Sequence, residues 1–174
     1  LDVLGIEFDK RLLNLGDPAG RAAHLALWPI GKMPLLVDQG RPVPETSIII
    51  EHLQRHHAQP ARTLIPADAD AALEVRLWDR LFDLYVMTPM QTFTADLVRA
   101  EGRRDADSVA DARERLLSAY AFIDRHLEGR LWVSGDSFSM ADCAAAPALF
   151  YAVTYVPLPP QRPFDLDLEG TPKL

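Results

Sequence analysis

The sequence predicts a mixed α/β unit over residues 1–57, joined through a break at 58–66 to an all-helical unit over 67–174. Three observations predict it. A short apolar run, Leu35-Leu36-Val37, meets turn chemistry in Asp38-Gln39-Gly40 and a returning strand from Arg41 to Val43. Residues 58–66 carry Pro60 and Pro66, and no long periodic pattern crosses them. Beyond that break apolar residues recur at spacings of three and four, the period of a helix face.

Each element follows from local chemistry. Phe8 to Leu15 alternates loosely and reads as a strand. Asp17 can cap a helix with Pro18 in its first turn, running to about Leu27, where Pro29 and Gly31 stop it. Pro42 and Pro44 confine the returning hairpin strand to a sheet edge or its end. A helix follows from Glu45, with Ile48, Ile49, Ile50 and Leu53 apolar. In the second unit Leu73, Leu77, Leu81 and Leu84 form a stripe that Pro89 should kink, and Met90, Phe93 and Leu97 resume it. Val109, Ala112, Leu116, Tyr120, Ile123 and Leu127 define the next helix, with Ser108 as cap and Gly129 as terminator. The last helix starts at Ser139.

Composition narrows the function classes. Net charge is −7, split as −3 over residues 1–87 and −4 over 88–174, so no basic face exists to track phosphates. Nucleic acid is not an expected partner. A single cysteine, Cys143, excludes an internal disulfide framework and suits a reducing compartment. The uncharged run from Cys143 to Pro160 reaches the length of a membrane candidate, but its prolines and alanines read as a buried helix followed by a proline-rich turn. No membrane partner is expected. The N-terminus shows no basic region followed by an apolar one, and the reading is cytoplasmic.

Two segments carry chemistry. In Phe138-Ser139-Met140-Ala141-Asp142-Cys143, Ser139 and Asp142 have the spacing of a capping box, with Phe138 and Cys143 placed for a hydrophobic staple. In Gly31-Lys32-Met33-Pro34-Leu35-Leu36-Val37-Asp38, Met33-Pro34 is a candidate cis bond opening a strand. About ten residues on, Glu45-Thr46-Ser47 opens a helix whose first-turn amides favour an anion. Glu45 beside that point can hold an ammonium group. A ligand with a carboxylate, an ammonium and a peptide backbone satisfies all three features.

The segment GKMPLLVDQGRPVPETSIIIEHL resembles the glutathione-binding half of a glutathione transferase, and FSMADCAAAPALFYA is similar to the capping-box helix of that family's helical domain. The resemblance covers roughly residues 1–155 in matching order. It implies a thioredoxin-like first domain, glutathione as co-substrate, no metal, a homodimer, and conjugation of the glutathione thiolate to a small hydrophobic electrophile. Isomerisation, dehalogenation, peroxide reduction and a non-catalytic binding role are alternatives on the same fold. Met33, next to cis Pro34, would pair its backbone with the cysteinyl part of glutathione. Glu45 and Thr46 would hold the γ-glutamyl end, and Lys32 would lie near the glycyl carboxylate. Tyr85 and Met90 are candidates for the electrophile pocket, while Ser139 and Asp142 would be structural. Trp28 stands where the family usually has Asn, Thr46 where it has Ser, and Ile49 where it has a small residue. Leu1 to Ile6 resembles the end of the family's first helix. The resemblance therefore places a first strand, a loop and most of that helix before Leu1, with the thiol-activating residue among them. The proline- and acid-rich stretch from Gln161 to Leu174 departs from the family's continuing helices.

Other clusters read as structural. His52, His56 and His57 are expected at a solvated helix end rather than on a metal. Asp79 and Asp83, interleaved with Arg76 and Arg80, are expected on an exposed charged face. Cys143 is not expected to be a nucleophile.

Overall fold

In the computed structural model, which describes residues 1–59 and 61–155, the chain divides into two units between Ile65 and Pro66. The proline-rich turn expected after Tyr155 and the segment 161–174 lie outside the described residues.

The first unit contains α1 (Pro18–Leu27), β1 (Leu35–Asp38), β2 (Arg41–Pro44) and α2 (Thr46–His56). Asp17 caps α1 by accepting the amides of Ala19 and Gly20 at 3.1 Å each. β1 and β2 pair antiparallel, with Leu35 opposite Pro44 and Asp38 opposite Arg41. Gln39 (φ 49°) and Gly40 (φ 81°) make the two-residue turn, whose left-handed second position glycine occupies without a Cβ penalty. Counting back from the closing Asp38–Arg41 pair, Pro42 and Pro44 fall at positions that do not donate to β1. Their missing N–H groups therefore cost the ladder nothing.

α2 packs on both strands. Ile49 and Leu53 are buried on that face, while Ile48 is exposed. Gln54 extends the packing: its Oε1 accepts the amides of Leu64 and Ile65 at 2.7 and 2.8 Å, and its Nε2 donates to the Ile65 carbonyl at 2.7 Å. Leu64 and Ile65 are buried, so the stretch read as a linker is fastened to the first unit through Ile65.

Residues 8–15 do not form the expected strand. The described sheet consists of β1 and β2 alone, and a strand exists only where a neighbour takes its backbone hydrogen bonds. Residues 1–6 have the bonding of a helix C-terminus: the Gly5 amide donates to the Asp2 carbonyl at 2.9 Å and the Ile6 amide to the Leu1 carbonyl at 3.1 Å. Gly5 takes the left-handed position at φ 67°, and a Cβ there would run into the Arg62 guanidinium.

The second unit contains α3 (Ala69–Leu81), a π-helical segment (Phe82–Met87), α4 (Thr88–Leu97), a 3-10 turn (Glu101–Arg103), α5 (Ala106–Leu127) and α6 (Met140–Tyr155). α3 packs on α6, α4 packs on α5, and the π segment touches all four. The kink expected at Pro89 appears as this π segment just before it. The Thr88 amide and hydroxyl both donate to the Asp83 carbonyl, so the helix widens by one residue to absorb the proline.

The leucine stripe is corrected by the structure. Leu73 and Leu77 are 65% and 59% exposed and Leu84 is also exposed, while Ala72, Val75, Trp78 and Phe82 face inward. Both faces of α3 are apolar, so periodicity admits either. The face carrying Trp78 and Phe82 buries more apolar area and wins. Trp78 stacks on Phe122 at 5.6 Å and meets the tilted ring of His126 at 3.8 Å between ring centroids. Asp79 is on this inner side and buried, not on the expected charged face; Asp83 is exposed and pairs with Arg80 at 2.8 Å. The cap of α5 is Asp105, which accepts the Ser108 amide at 3.0 Å, rather than Ser108 itself. Gly129, at φ 70°, follows the end of α5 as expected.

Candidate functional site

The hairpin register creates the site in the first unit. Leu35 lies opposite Pro44, so the residues just outside that pair, Pro34 and Glu45, sit at the same end of the hairpin. Residues facing each other across an antiparallel pair are about 4.5–5.5 Å apart at Cα. Lys32-Met33-Pro34 and Glu45-Thr46 thus flank the same end of the hairpin, though ten or more residues apart in sequence. All five are exposed, and Met33-Pro34 is cis as the sequence predicts.

Glu45 joins β2 to α2 with φ 67° and ψ 125°. A non-glycine residue there is strained by about 1–3 kcal/mol, a cost that local context must offset. The Glu45 carbonyl already accepts the first helical bond, from the Ile49 amide at 2.8 Å, while its side chain makes no capping bond. The helix N-terminus is therefore not closed by the carboxylate of its own cap residue. Its amides and dipole present positive potential, and Glu45 adds a negative charge beside it. One small region can hold an ammonium and a carboxylate together. On the other flank His24 of α1 meets the Lys32 carbonyl through Nε2 at 3.2 Å, fixing the approach to Met33.

The helical unit supplies the other predicted residues. Asp142 returns to the start of α6 as a capping-box carboxylate should: Oδ2 accepts the Ser139 amide at 2.9 Å and the Ser139 hydroxyl at 3.0 Å. Its second oxygen accepts the Val133 amide at 2.8 Å, a loop tie that helix-start chemistry does not foretell. Ser139, Asp142 and Val133 are all buried. Tyr85 is exposed on the π segment, whereas Met90 is buried in the core, so only Tyr85 presents a surface to a ligand. Burial pushes the Cys143 thiol up, and the neighbouring Asp142 charge pushes it further, the opposite of what a reactive thiolate needs.

Comparison with known proteins follows the same division. Residues 1–61 match the glutathione S-transferase N-terminal domain and residues 106–174 the C-terminal domain. Glutathione S-transferase 3 from Zea mays is 33% identical over 155 residues, covering 86% of this chain and 69% of the maize protein. The chain belongs to the glutathione S-transferase family. A glutathione S-transferase-like protein from Fusarium is 28% identical over 75% of this chain and 59% of its own length, so this chain spans less than two thirds of that relative. Among solved structures, a glutathione S-transferase from Methylobacillus flagellatus with glutathione bound is 28% identical, at a TM-score of 0.82 over 99% of this chain and 80% of that one. The fold is that of the transferases: a small sheet with helices, then a helical domain.

Two features of this chain were not foreseen from spacing. His52 and His57 are not simply solvated: both direct Nε2 at Asp38 Oδ2, at 2.7 and 2.8 Å. The Asp38 carboxyl is held below its ordinary value, first by the His52 hydrogen bond and then by that of His57. His126, against the Trp78 ring, places Nε2 2.6 Å from the Val133 carbonyl, so Val133 is tied through both its amide and its carbonyl.

Proposed function

We propose that this chain binds glutathione at the shared end of the hairpin and α2 and acts as a transferase that joins the glutathione thiolate to small hydrophobic electrophiles. The observation that supports the reading is the hairpin register, in which Pro34 and Glu45 flank the same outermost pair, Leu35–Pro44. In this reading the Met33 backbone pairs with the cysteinyl residue. Glu45 holds the γ-glutamyl ammonium, and the Thr46 end of α2 holds its carboxylate. Lys32 faces the glycyl carboxylate, and Tyr85 forms part of the electrophile wall. Such a protein lowers the barrier by fixing the thiol and stabilising its anion. Cys143 is not the activating group, since its own thiol is biased toward protonation. The exposed leucines Leu73 and Leu77 of α3 and Leu84 of the π segment support a homodimer, which we place in the cytoplasm.

Thermal melting with millimolar glutathione tests the binding half of this reading. Glutathione at 100 times its dissociation constant adds about 2.7 kcal/mol of stability. A rise in melting temperature that Glu45→Ala largely removes supports the assignment; no rise overturns it. Absorbance of a chromogenic aryl halide with glutathione tests the chemistry. Binding without turnover reduces the reading to a glutathione-binding protein.

A further inference from the structure

Asp38 ends β1, and His57 follows the last turn of α2, so both lie at the opposite ends of their elements from Pro34 and Glu45. Three potential donor atoms meet there: Asp38 Oδ2, His52 Nε2 and His57 Nε2, all within 4.8 Å of one another. The pairing is not the one helical spacing favours. On a continued helix His56, four residues after His52, shares its face and His57 does not. Here the backbone leaves the helix at His57, with φ −133° and ψ −18°, and its ring turns back to the carboxylate. His56 rests against the His52 ring at 4.6 Å between centroids and is not one of the three.

We propose that Asp38, His52 and His57 form a binding site for a divalent transition metal, best matched to Zn2+. Two imidazole nitrogens and one carboxylate oxygen are the donor types that Zn2+ takes, and this set disfavours the harder Mg2+ and Ca2+. The side chains are 13%, 21% and 31% exposed for His52, Asp38 and His57, sheltered yet open to an entering ion. Zn2+ with ligands at about 2.0–2.1 Å spaces tetrahedral donors roughly 3.3–3.4 Å apart. The two short Asp–His distances would open by about half an ångström, within reach of side-chain rotation alone. Each imidazole gives its Nε2 lone pair to the ion and carries its remaining proton on Nδ1. Three protein donors leave a fourth position for water. The bound ion joins the hairpin turn to the end of α2, so its main effect is to stabilise the first unit. The site shares no residue with the proposed glutathione contacts, and neither reading depends on the other.

The test is titration of ZnCl2 into chelator-treated protein, followed by calorimetry and by competition with a chromophoric chelator. The expected result is saturable binding of one Zn2+ per chain. Removing a hydrogen-bond partner of a ligand typically weakens metal sites about 10–100-fold, and loss of a ligand should weaken them at least that much. Asp38→Ala, His52→Ala and His57→Ala should each do so, and His56→Ala should not. Circular dichroism of the metal-free variants checks folding. His57→Gln, at an exposed position past the helix end, provides a milder substitution with the same expected loss. No saturable binding overturns the proposal, as does binding that survives both Asp38→Ala and His57→Gln. Loss in His56→Ala equal to that in His57→Ala also overturns it, because it would assign the ion to the His52–His56 pair.

Discussion

The two units of the chain are held together in different ways. The helical unit has a core of large apolar side chains, with Phe82, Phe93, Leu116, Tyr120 and Ile123 almost wholly removed from water. The α/β unit buries few such groups, chiefly Leu4, Val43, Ile49, Leu53, Leu64 and Ile65. It relies instead on polar fasteners: the Gln54 clamp on Leu64 and Ile65, the Asp17 cap, and Asp38 between two histidines. The strained Glu45 and the exposed candidate ligand contacts lie in this second kind of structure. Dispersion and burial stabilise without caring what the surface presents, whereas a polar framework leaves donors and charges where a ligand can reach them. Substitutions in the helical unit should therefore act mainly on stability, and those in the α/β unit mainly on binding.

The largest expected effect probes the helical core. Phe82→Ala should cost about 3–5 kcal/mol in chemical denaturation, the range for a buried phenylalanine. Leu77→Ala, on the stripe that sequence alone points inward, should stay within about 0.5 kcal/mol as an exposed site. Equal costs would mean that α3 is turned the other way. Asp142→Ala comes next. It strands the buried amides of Val133 and Ser139, and hydrogen bonds to a charged group are worth about 1.5–3 kcal/mol. A loss of about 3 kcal/mol, with unchanged glutathione affinity in the folded protein, should be seen by denaturation and calorimetry. A weakened affinity would show that the separation of roles between the units is wrong.

The sequence was most informative where structure depends on neighbours in the chain. The hairpin, the Asp17 cap, the cis bond at Pro34, the Gly129 terminator and the Asp142 return arm are local, and all are present. The disturbance at Pro89 was legible, although its form as a π segment was not, because that depends on Thr88 donating both its amide and its hydroxyl to the Asp83 carbonyl. Long-range choices were hidden. The inner face of α3 was decided by Trp78 meeting Phe122 and His126, residues of another helix. Residues 8–15 needed a strand partner that their own alternation cannot supply. The Asp38 cluster depended on a break in the helix at His57, invisible to a count of residues. Among the site candidates, Pro34 and Glu45 flank one end of the hairpin, while Met90, a candidate for the electrophile pocket, is in the core.

A smaller effect tests the strain at Glu45. Glycine adopts φ 67° without a Cβ penalty, so Glu45→Gly should raise stability by about 1 kcal/mol, the low end of the range for such strain. The same substitution removes the carboxylate and should weaken glutathione binding. Opposite signs in a urea midpoint and a binding titration would locate stored strain at a ligand contact. Loss of both would mean that the Glu45 side chain itself supports the fold.

Tyr120 is a further exception within the helical core. Its hydroxyl is buried and finds no hydrogen-bond partner among the described residues, and burial pushes its ionisation far above the ordinary range. Tyr120→Phe removes the unpaired group and keeps the ring. Stability should hold or rise by up to about 1 kcal/mol, since an unsatisfied buried hydroxyl is a liability and not a contact. A clear loss would show that the hydroxyl has a partner.

The smallest effect belongs to the polar framework, and its sign is set by linkage. Asp38 has a carboxyl held below 3.8 in the folded chain by His52 and His57. A depressed carboxyl adds stability that is fully present above its unfolded value and lost as pH falls through its folded value. In metal-free protein the advantage of the natural chain over Asp38→Asn should thus shrink as pH falls below 3.8. The pair is partly exposed, so salt should shrink it too. An advantage that instead grew as pH fell below 3.8 would mean that the carboxylate is not what His52 and His57 recognise. The cluster would then be a packing contact, unlike the fasteners that set the α/β unit apart.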